Sequence, residues 1–364
     1  MKIKEVTDLI EQLAPLSYQE SYDNSGLITG DENEKIKGVL ICLDSTEEVV
    51  EEAISKKCNL IIAHHPVIFS GLKKLNGKNY VERTIIKAIQ NNIAIYAAHT
   101  NLDHVQQGVN AKIREKIGLK NCKILSPKNN LLRKLVTFCP TDKADAVRQA
   151  MFNAGAGEIG NYDECSFNVS GTGTFKASAG TNPYVGKIGK QHKEKEEKIE
   201  TVFPVYLQEN ILEAMFKAHP YEEVAYDIYP LENAYKQVGS GMIGELKTEM
   251  TELAFLKSLK TSMRTDCVRY TKLLNKKIRK VAVCGGSGSF LLKDAIRQGA
   301  DIFVTADFKY HQFFDAESKI VVADIGHYES EQFTKDLFYE LLTKNFSTFA
   351  IRLSKVNTNP INYL

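Results

Sequence analysis

A chain of 364 residues, 43% hydrophobic and 25% charged, can bury one large core or two to three modest ones, which excludes a disordered polymer. Its 47 basic and 45 acidic side chains leave a formal charge of +2, so composition alone predicts no polyanion partner and gives no support to nucleic-acid binding. The seven cysteines are isolated and form no Cys-x-x-Cys pair, which excludes a thiolate zinc site and a redox dithiol; they read as reduced core thiols.

The N-terminal MKIKEVTDLIEQL alternates charged and apolar residues at helical spacing and offers no continuous apolar stretch for export. No run approaches the roughly 20 apolar residues that cross a bilayer. The expectation is a cytoplasmic chain without a membrane partner. After the first amphipathic helix, Gly38 to Leu43 predicts an apolar strand. Ser45 to Lys57 predicts a helix opened by Thr46, Glu47 and Glu48, and Leu60 to Ala63 a second strand. A helix over about 81–90, a strand over 93–97 and a helix after Gly108 follow. This alternation requires a largely parallel sheet covered by helices.

Residues 128–235 differ in character. Strands near 134–138, 165–169, 201–207 and 225–230 alternate with helices over 143–154 and 210–218, in the order β-α-β-β-α-β of the ferredoxin-like plan. A Gly/Ser/Thr-rich loop is expected from Ser170 to Gly189, and the charged run QHKEKEEKIE precedes the third strand. The first pattern then returns, with strands over 280–284, 302–305 and 320–323 and helices over 290–297 and 330–342. A shift of 242 positions lays Cys42 on Cys284, Ala53-Ile54 on Ala295-Ile296, and Ile61-Ile62 on Phe303-Val304. The predicted fold class is therefore α/β: two similar halves, residues 1–127 and 236–364, form one metal-binding domain interrupted by an α+β insert.

The chemistry gathers at strand ends, where open parallel sheets bind their ligands. His64 and His65 follow Leu60–Ala63 and precede Pro66, where a backbone turn can bring both imidazoles to neighbouring ions; the alternative is a pair of ordinary loop residues. Asp103 follows the strand over 93–97 in AAHTNLDHVQQG, with Asn101, His99 and His104 ranked behind it as turn, core or capping residues. His327 and Glu331 follow the strand over 320–323 and, four apart on an opening helical turn, share a face. Three imidazoles and two carboxylates suit two ions of Zn²⁺, Mn²⁺, Fe²⁺ or Co²⁺ better than Ca²⁺. Asp103 is the expected bridge between the ions, with a water held there as the nucleophile. Asp307, Tyr310 and His311 fall where the repeat places a cleft and either order substrate or simply line it. The run Cys284 to Ser289 is either an anion-binding turn or a tight strand-to-helix connection.

The segments DNSGLITG (23–30), IIAHHPVIF (61–69), AAHTNLD (97–103), TADFKYHQ (305–312) and GHYESEQ (326–332) together resemble the GTP cyclohydrolase 1 type 2 homologue family. The likeness covers the two outer regions. The middle region, with HPYEE at 219–223, resembles the PII-like or CutA-like insert of that family's longer members. The resemblance implies that His64, His65, Asp103, His327 and Glu331 are the ligands of paired metals, and that the chain assembles as a toroidal homohexamer. It implies a metal-dependent hydrolase of a nucleotide or phosphorylated heterocycle. A metal-binding regulatory or scaffold protein, and a DNA-binding ring, are the alternatives.

Overall fold

Helix α1 (Ile3–Leu13) buries Ile3, Val6, Thr7 and Ile10 along one face, the spacing of an amphipathic helix on a core. In this computed structural model, which describes residues 1–364, a short strand β1 (Gly26–Thr29) comes next. The predicted alternation follows: β2 (Gly38–Asp44), α2 (Glu47–Ser55), β3 (Leu60–His65), α3 (Tyr80–Gln90) and β4 (Ala94–Ala97). The helix starts lie where the capping residues stand. The Thr46 hydroxyl accepts the Val49 N–H, and the Asn79 side chain accepts that of Glu82. Helices α4 (Thr100–His104) and α5 (Val109–Ile117) and strand β5 (Lys120–Lys128) complete the first segment.

Residues 128–235 contain β6 (Leu132–Pro140), α6 (Ala144–Asn153), β7 (Ser166–Lys176), β8 (Gln191–Pro204), α7 (Gln208–Ala218) and β9 (Tyr226–Leu231). The four strands form one sheet in the order β7-β8-β6-β9, every pairing antiparallel. Leu135, Cys139, Val147, Met151, Ile199, Phe203, Ile211 and Met215 make its core. The strands of this unit differ in extent from the sequence expectation at three places. The Gly/Ser/Thr-rich stretch is strand as far as Lys176, and the charged run is itself strand, because the two pair from Ser166↔Thr201 to Lys176↔Gln191 as a long hairpin. Polar residues on both faces hide the period of two that marks a half-buried strand. The third strand also stops at Pro204, and Val205–Leu207 is a 3-10 turn.

The last segment opens with β10 (Tyr235–Thr251) and α8 (Glu252–Ser262), followed by β11 (Arg269–Tyr270), β12 (Lys277–Ser287), α9 (Leu292–Arg297), β13 (Ile302–Ala306) and β14 (Val321–Asp324). Helices α10 (His327–Glu331) and α11 (Thr334–Asn345) replace the single helix expected over 330–342, and β15 (Ala350–Leu353) ends the set. The chain divides into two units, Met1–Pro127 with Lys236–Leu364, and Lys128–Tyr235.

The discontinuous unit holds two mixed sheets, β1-β4-β3-β2-β15 and β11-β14-β13-β12-β10-β5. Their parallel ladders repeat pair for pair at the shift seen in the sequence. Val39↔Leu60, Leu40↔Ile61 and Ile41↔Ile62 in one answer Val281↔Ile302, Ala282↔Phe303 and Val283↔Val304 in the other. Each ladder contributes to its own core, one around Leu40, Ile61 and Ile95 and one around Ala282, Phe303 and Val322. β15 lies parallel to β2, so the last strand of the chain pairs into the first sheet. β5 and β10, which lead to and from residues 128–235, are neighbours in the six-stranded sheet. They approach so closely that a Cβ on Gly239 would lie 2.1 Å from the Ser126 carbonyl oxygen. Excising residues 130–233 and closing the gap with a short linker is therefore expected to leave a cooperatively folding chain. Far-UV circular dichroism during thermal unfolding checks this; loss of all regular structure would contradict it.

Candidate metal centre

His64 and His65 end β3, Asp103 lies in α4, and His327 and Glu331 lie at the two ends of α10. These five side chains, remote in sequence, converge. His65 Nε2 and His327 Nε2 stand 3.3 Å apart, with Glu331 Oε2 at 2.9 Å from the first and 3.1 Å from the second. The other Glu331 oxygen, Oε1, faces His64 Nε2 at 3.7 Å, and Asp103 Oδ1 lies 3.7 Å from that same nitrogen. Two ligand triads result, His65/His327/Glu331 and His64/Asp103/Glu331, each with its ligand atoms within 4.8 Å of one another. Glu331 belongs to both; Asp103 belongs to one.

The imidazoles are aimed by what holds their far nitrogens. His64 Nδ1 is 2.8 Å from the Ala98 carbonyl oxygen, His65 Nδ1 2.7 Å from Asp44 Oδ1, and His327 Nδ1 2.6 Å from Asp307 Oδ2. His99 follows the same plan, its Nδ1 2.7 Å from Asp23 Oδ1, and its ring forms a third group with His64 and His65. Anchoring of one ring nitrogen to a carbonyl or carboxylate while the other faces a shared centre is the arrangement of metal-ligating histidines. The fit to a cation is also visible in what is unpaired. His64 Nε2 and Asp103 Oδ1 are both buried without a hydrogen-bond partner. Such atoms are costly to leave unsatisfied.

Charge is concentrated here. Burial lifts the Asp103 carboxyl to about 7, and the neighbouring Glu331 carboxylate pushes the same way. Burial opposes ionisation of Glu331 too, but the His327 and His64 imidazoles overcome it and hold Glu331 well below the usual carboxylate range. The Glu331 carboxylate raises His327 to about 11 against the effect of burial. At His65 burial is likewise outweighed, by the hydrogen bonds to Asp44 and Glu331, and the imidazole rises to about 9. Cys284 lines the cavity as well, its thiol pushed up by burial and the nearby carboxylates.

The Cys284–Ser289 loop packs against this cluster. Gly286 has φ +59°, and a Cβ there would lie 2.4 Å from Glu331 Oε1. Its N–H donates to Ser330 Oγ and the Gly285 N–H to Asn110 Oδ1, so at these two glycines the loop is a tight connection with its amides occupied. A cavity of about 500 Å³ opens onto the cluster, lined in part by His65, His99, Asp103, His327 and Glu331.

Of the remaining candidates, Asp307 orients His327, whereas His311 is exposed, stacks beside Tyr310 at 5.2 Å between ring centroids, and does not line this cavity. His104 is buried, its Nδ1 2.8 Å from the Tyr18 carbonyl oxygen. Asn101 accepts the His99 N–H and donates to the Ala14 carbonyl. Sequence reasoning missed Asp44 and Asp23. Asp44 was findable, because the β2–β3 register sets it directly beside His65; Asp23 lies in a loop with no periodicity to announce it.

Paired open-sheet ladders meeting at a partly buried histidine–carboxylate cluster define an α/β protein with groups that could bind metal. The chain belongs to the Duf34/NIF3 (NGG1p interacting factor 3) family, whose model matches residues 1–360. It is 40% identical over 367 residues to the GTP cyclohydrolase 1 type 2 homolog of Bacillus subtilis, covering 99% of this chain and 98% of that one. The protein of that name from Halalkalibacterium halodurans is 41% identical over 364 residues, again covering 99% and 98%. A crystal structure of a Bacillus cereus protein related to NIF3 matches with a TM-score of 0.86 at 40% identity, covering 100% of this chain and 99% of that one. No helix is long and apolar enough to cross a membrane.

Proposed function

We propose that the chain is a dinuclear divalent-metal protein and a metal-dependent hydrolase of a heterocyclic, nucleoside- or nucleotide-like substrate. The observation that carries this reading is the pair of ligand triads sharing Glu331, with two buried polar atoms otherwise without partners. His65 and His327 would hold one ion, His64 and Asp103 the other, and Glu331 would span both, one oxygen to each. This moves the bridging role from Asp103, where a carboxylate's two oxygens and its charge made it the expected bridge, to Glu331. Mixed nitrogen and oxygen ligands suit Zn²⁺, Mn²⁺, Fe²⁺ or Co²⁺. Two such ions would supply Lewis acidity and an acidified water. The protein's own part is to fix the imidazoles through Asp44, Ala98 and Asp307, and to keep Glu331 ionised within a largely buried cluster.

The names carried by the relatives fit a cyclohydrolase-like reaction on a ring C–N bond. The test is turnover of a panel of nucleosides, nucleotides and small phosphoesters by protein loaded with each metal in turn. Hydrolysis that follows metal content and disappears in Glu331→Ala supports the proposal; a metal-loaded protein inert to the whole panel favours a regulatory or scaffold role. The loop gives an independent check on the site. Gly286→Ala is expected to displace the Glu331 carboxylate and weaken metal binding at least tenfold while leaving the circular dichroism unchanged, with affinity read by calorimetric titration.

For residues 128–235, the order β-α-β-β-α-β and the sheet β7-β8-β6-β9 support the ferredoxin-like reading. With the family resemblance, this makes a trimer-forming insert within a homohexamer the expected assembly. Light scattering at several concentrations measures it, and a stable monomer of 40.8 kDa would contradict it.

A further inference from the structure

The cavity above the histidine cluster is unusual in what lines it. Four carboxylates, Glu20, Asp44, Asp103 and Glu331, face it, and no lysine or arginine does. Those four charges would offset the charge of two divalent ions, leaving the cavity near neutrality. Polyphosphate chains are ordinarily received by guanidinium or ammonium groups, or by free backbone amides at a glycine-rich turn. Here the Gly285 and Gly286 amides donate to Asn110 and Ser330. Beyond open positions on the ions themselves, these surroundings offer a triphosphate no counter-charge.

The lining offers rings instead. Tyr22, Phe69 and Phe290 all line the cavity and are 62%, 50% and 65% exposed. Tyr22 and Phe69 have centroids 6.1 Å apart at an interplanar angle of 49°, and Phe69 meets the edge of His99 at 6.1 Å. Tyr22 and Phe69 come from the first segment and Phe290 from the 3-10 turn after β12, so both halves contribute. Exposed rings in a cavity without basic groups provide stacking surface for a flat, weakly charged molecule.

We propose that this cavity binds an uncharged planar nitrogen heterocycle of purine size. Its ring lies against Tyr22, Phe69 and Phe290 and one polar edge faces the His/carboxylate cluster, and a triphosphate chain adds nothing to its affinity. The orientation of the polar edge rests on the dinuclear reading above; the stacking surface does not.

The test is isothermal titration of the metal-loaded full chain with guanosine, adenosine and the magnesium complex of GTP, with metal content assayed before and after each titration. At least one nucleoside is expected to bind with a sub-millimolar dissociation constant, and GTP no more than threefold tighter than guanosine. Tyr22→Ala and Phe290→Ala are each expected to weaken the nucleoside at least tenfold with metal content unchanged. Failure of both nucleosides to bind a chain that retains its metals overturns this inference and leaves the metal reading standing. GTP binding tenfold or more tighter than guanosine overturns it too. So does a change of oligomeric state in Tyr22→Ala or Phe290→Ala with nucleoside affinity intact, which would make the rings a subunit contact. A parent chain that takes up no metal while still binding nucleoside at Tyr22 and Phe290 would instead overturn the metal reading and uphold the stacking surface.

Discussion

Replacing Glu331 by alanine is expected to remove both metals, whereas His327→Ala and Asp103→Ala should each remove mainly one. The asymmetry follows from position. Glu331 Oε2 lies with His65 and His327, and Oε1 faces His64, so one substitution takes a ligand from each triad. It also removes the negative charge that would separate two cations in a buried site. Loss of an outer partner typically costs ~10–100-fold in metal affinity, and loss of a ligand shared by two ions should cost more. Elemental analysis of the three variants and the parent, purified side by side, gives the comparison. Full occupancy in Glu331→Ala with loss in Asp103→Ala would restore the bridging role to Asp103. Melting curves taken without metal would show whether each variant still folds.

The second large effect is on stability. Phe303 is fully buried in β13, in the core formed with Ala282, Leu292, Phe308 and Val322, its ring 6.3 Å from that of Phe308. Phe303→Ala deletes an aromatic ring from a packed interior and is expected to cost about 3–5 kcal/mol, through lost burial and the cavity left behind. Urea titration at equal protein concentration should show a clear fall in the midpoint with little change in slope. Because Asp307, which holds His327, directly follows β13, metal affinity should weaken alongside. A change below about 1 kcal/mol would mean that this half contributes little to the cooperative core.

These two sites differ in how far the sequence announces them. The β2–β3 and β12–β13 ladders were legible as apolar runs, and the shift between them reappears as a shared register, because strands buried on both faces leave an unbroken hydrophobic signature. The strand-end histidines were legible because chemistry-bearing residues at carboxyl ends of parallel strands stand out from that apolar background. What the sequence could not convey was orientation. Nothing in the spacing of His327 and Glu331 tells which carboxylate oxygen meets which imidazole, and the ground for expecting the bridge at Asp103, a carboxylate's two oxygens and its charge, applies equally to Glu331. The charged strand β8 was hidden by alternation of polar with polar residues, and β10 and β15 were unassigned because their partners lie far away in sequence. Asp23, which holds His99, has no local pattern at all.

The central claim is that two cations share Glu331 within one cavity, and the most direct test is metal stoichiometry of the parent chain. Protein purified anaerobically, stripped by chelator and then reloaded separately with Zn²⁺, Mn²⁺, Fe²⁺ or Co²⁺ would be desalted and measured by elemental analysis against amino-acid quantitation. Two ions per chain with at least one of these metals is the predicted result. One ion per chain with every metal, or none, would contradict it.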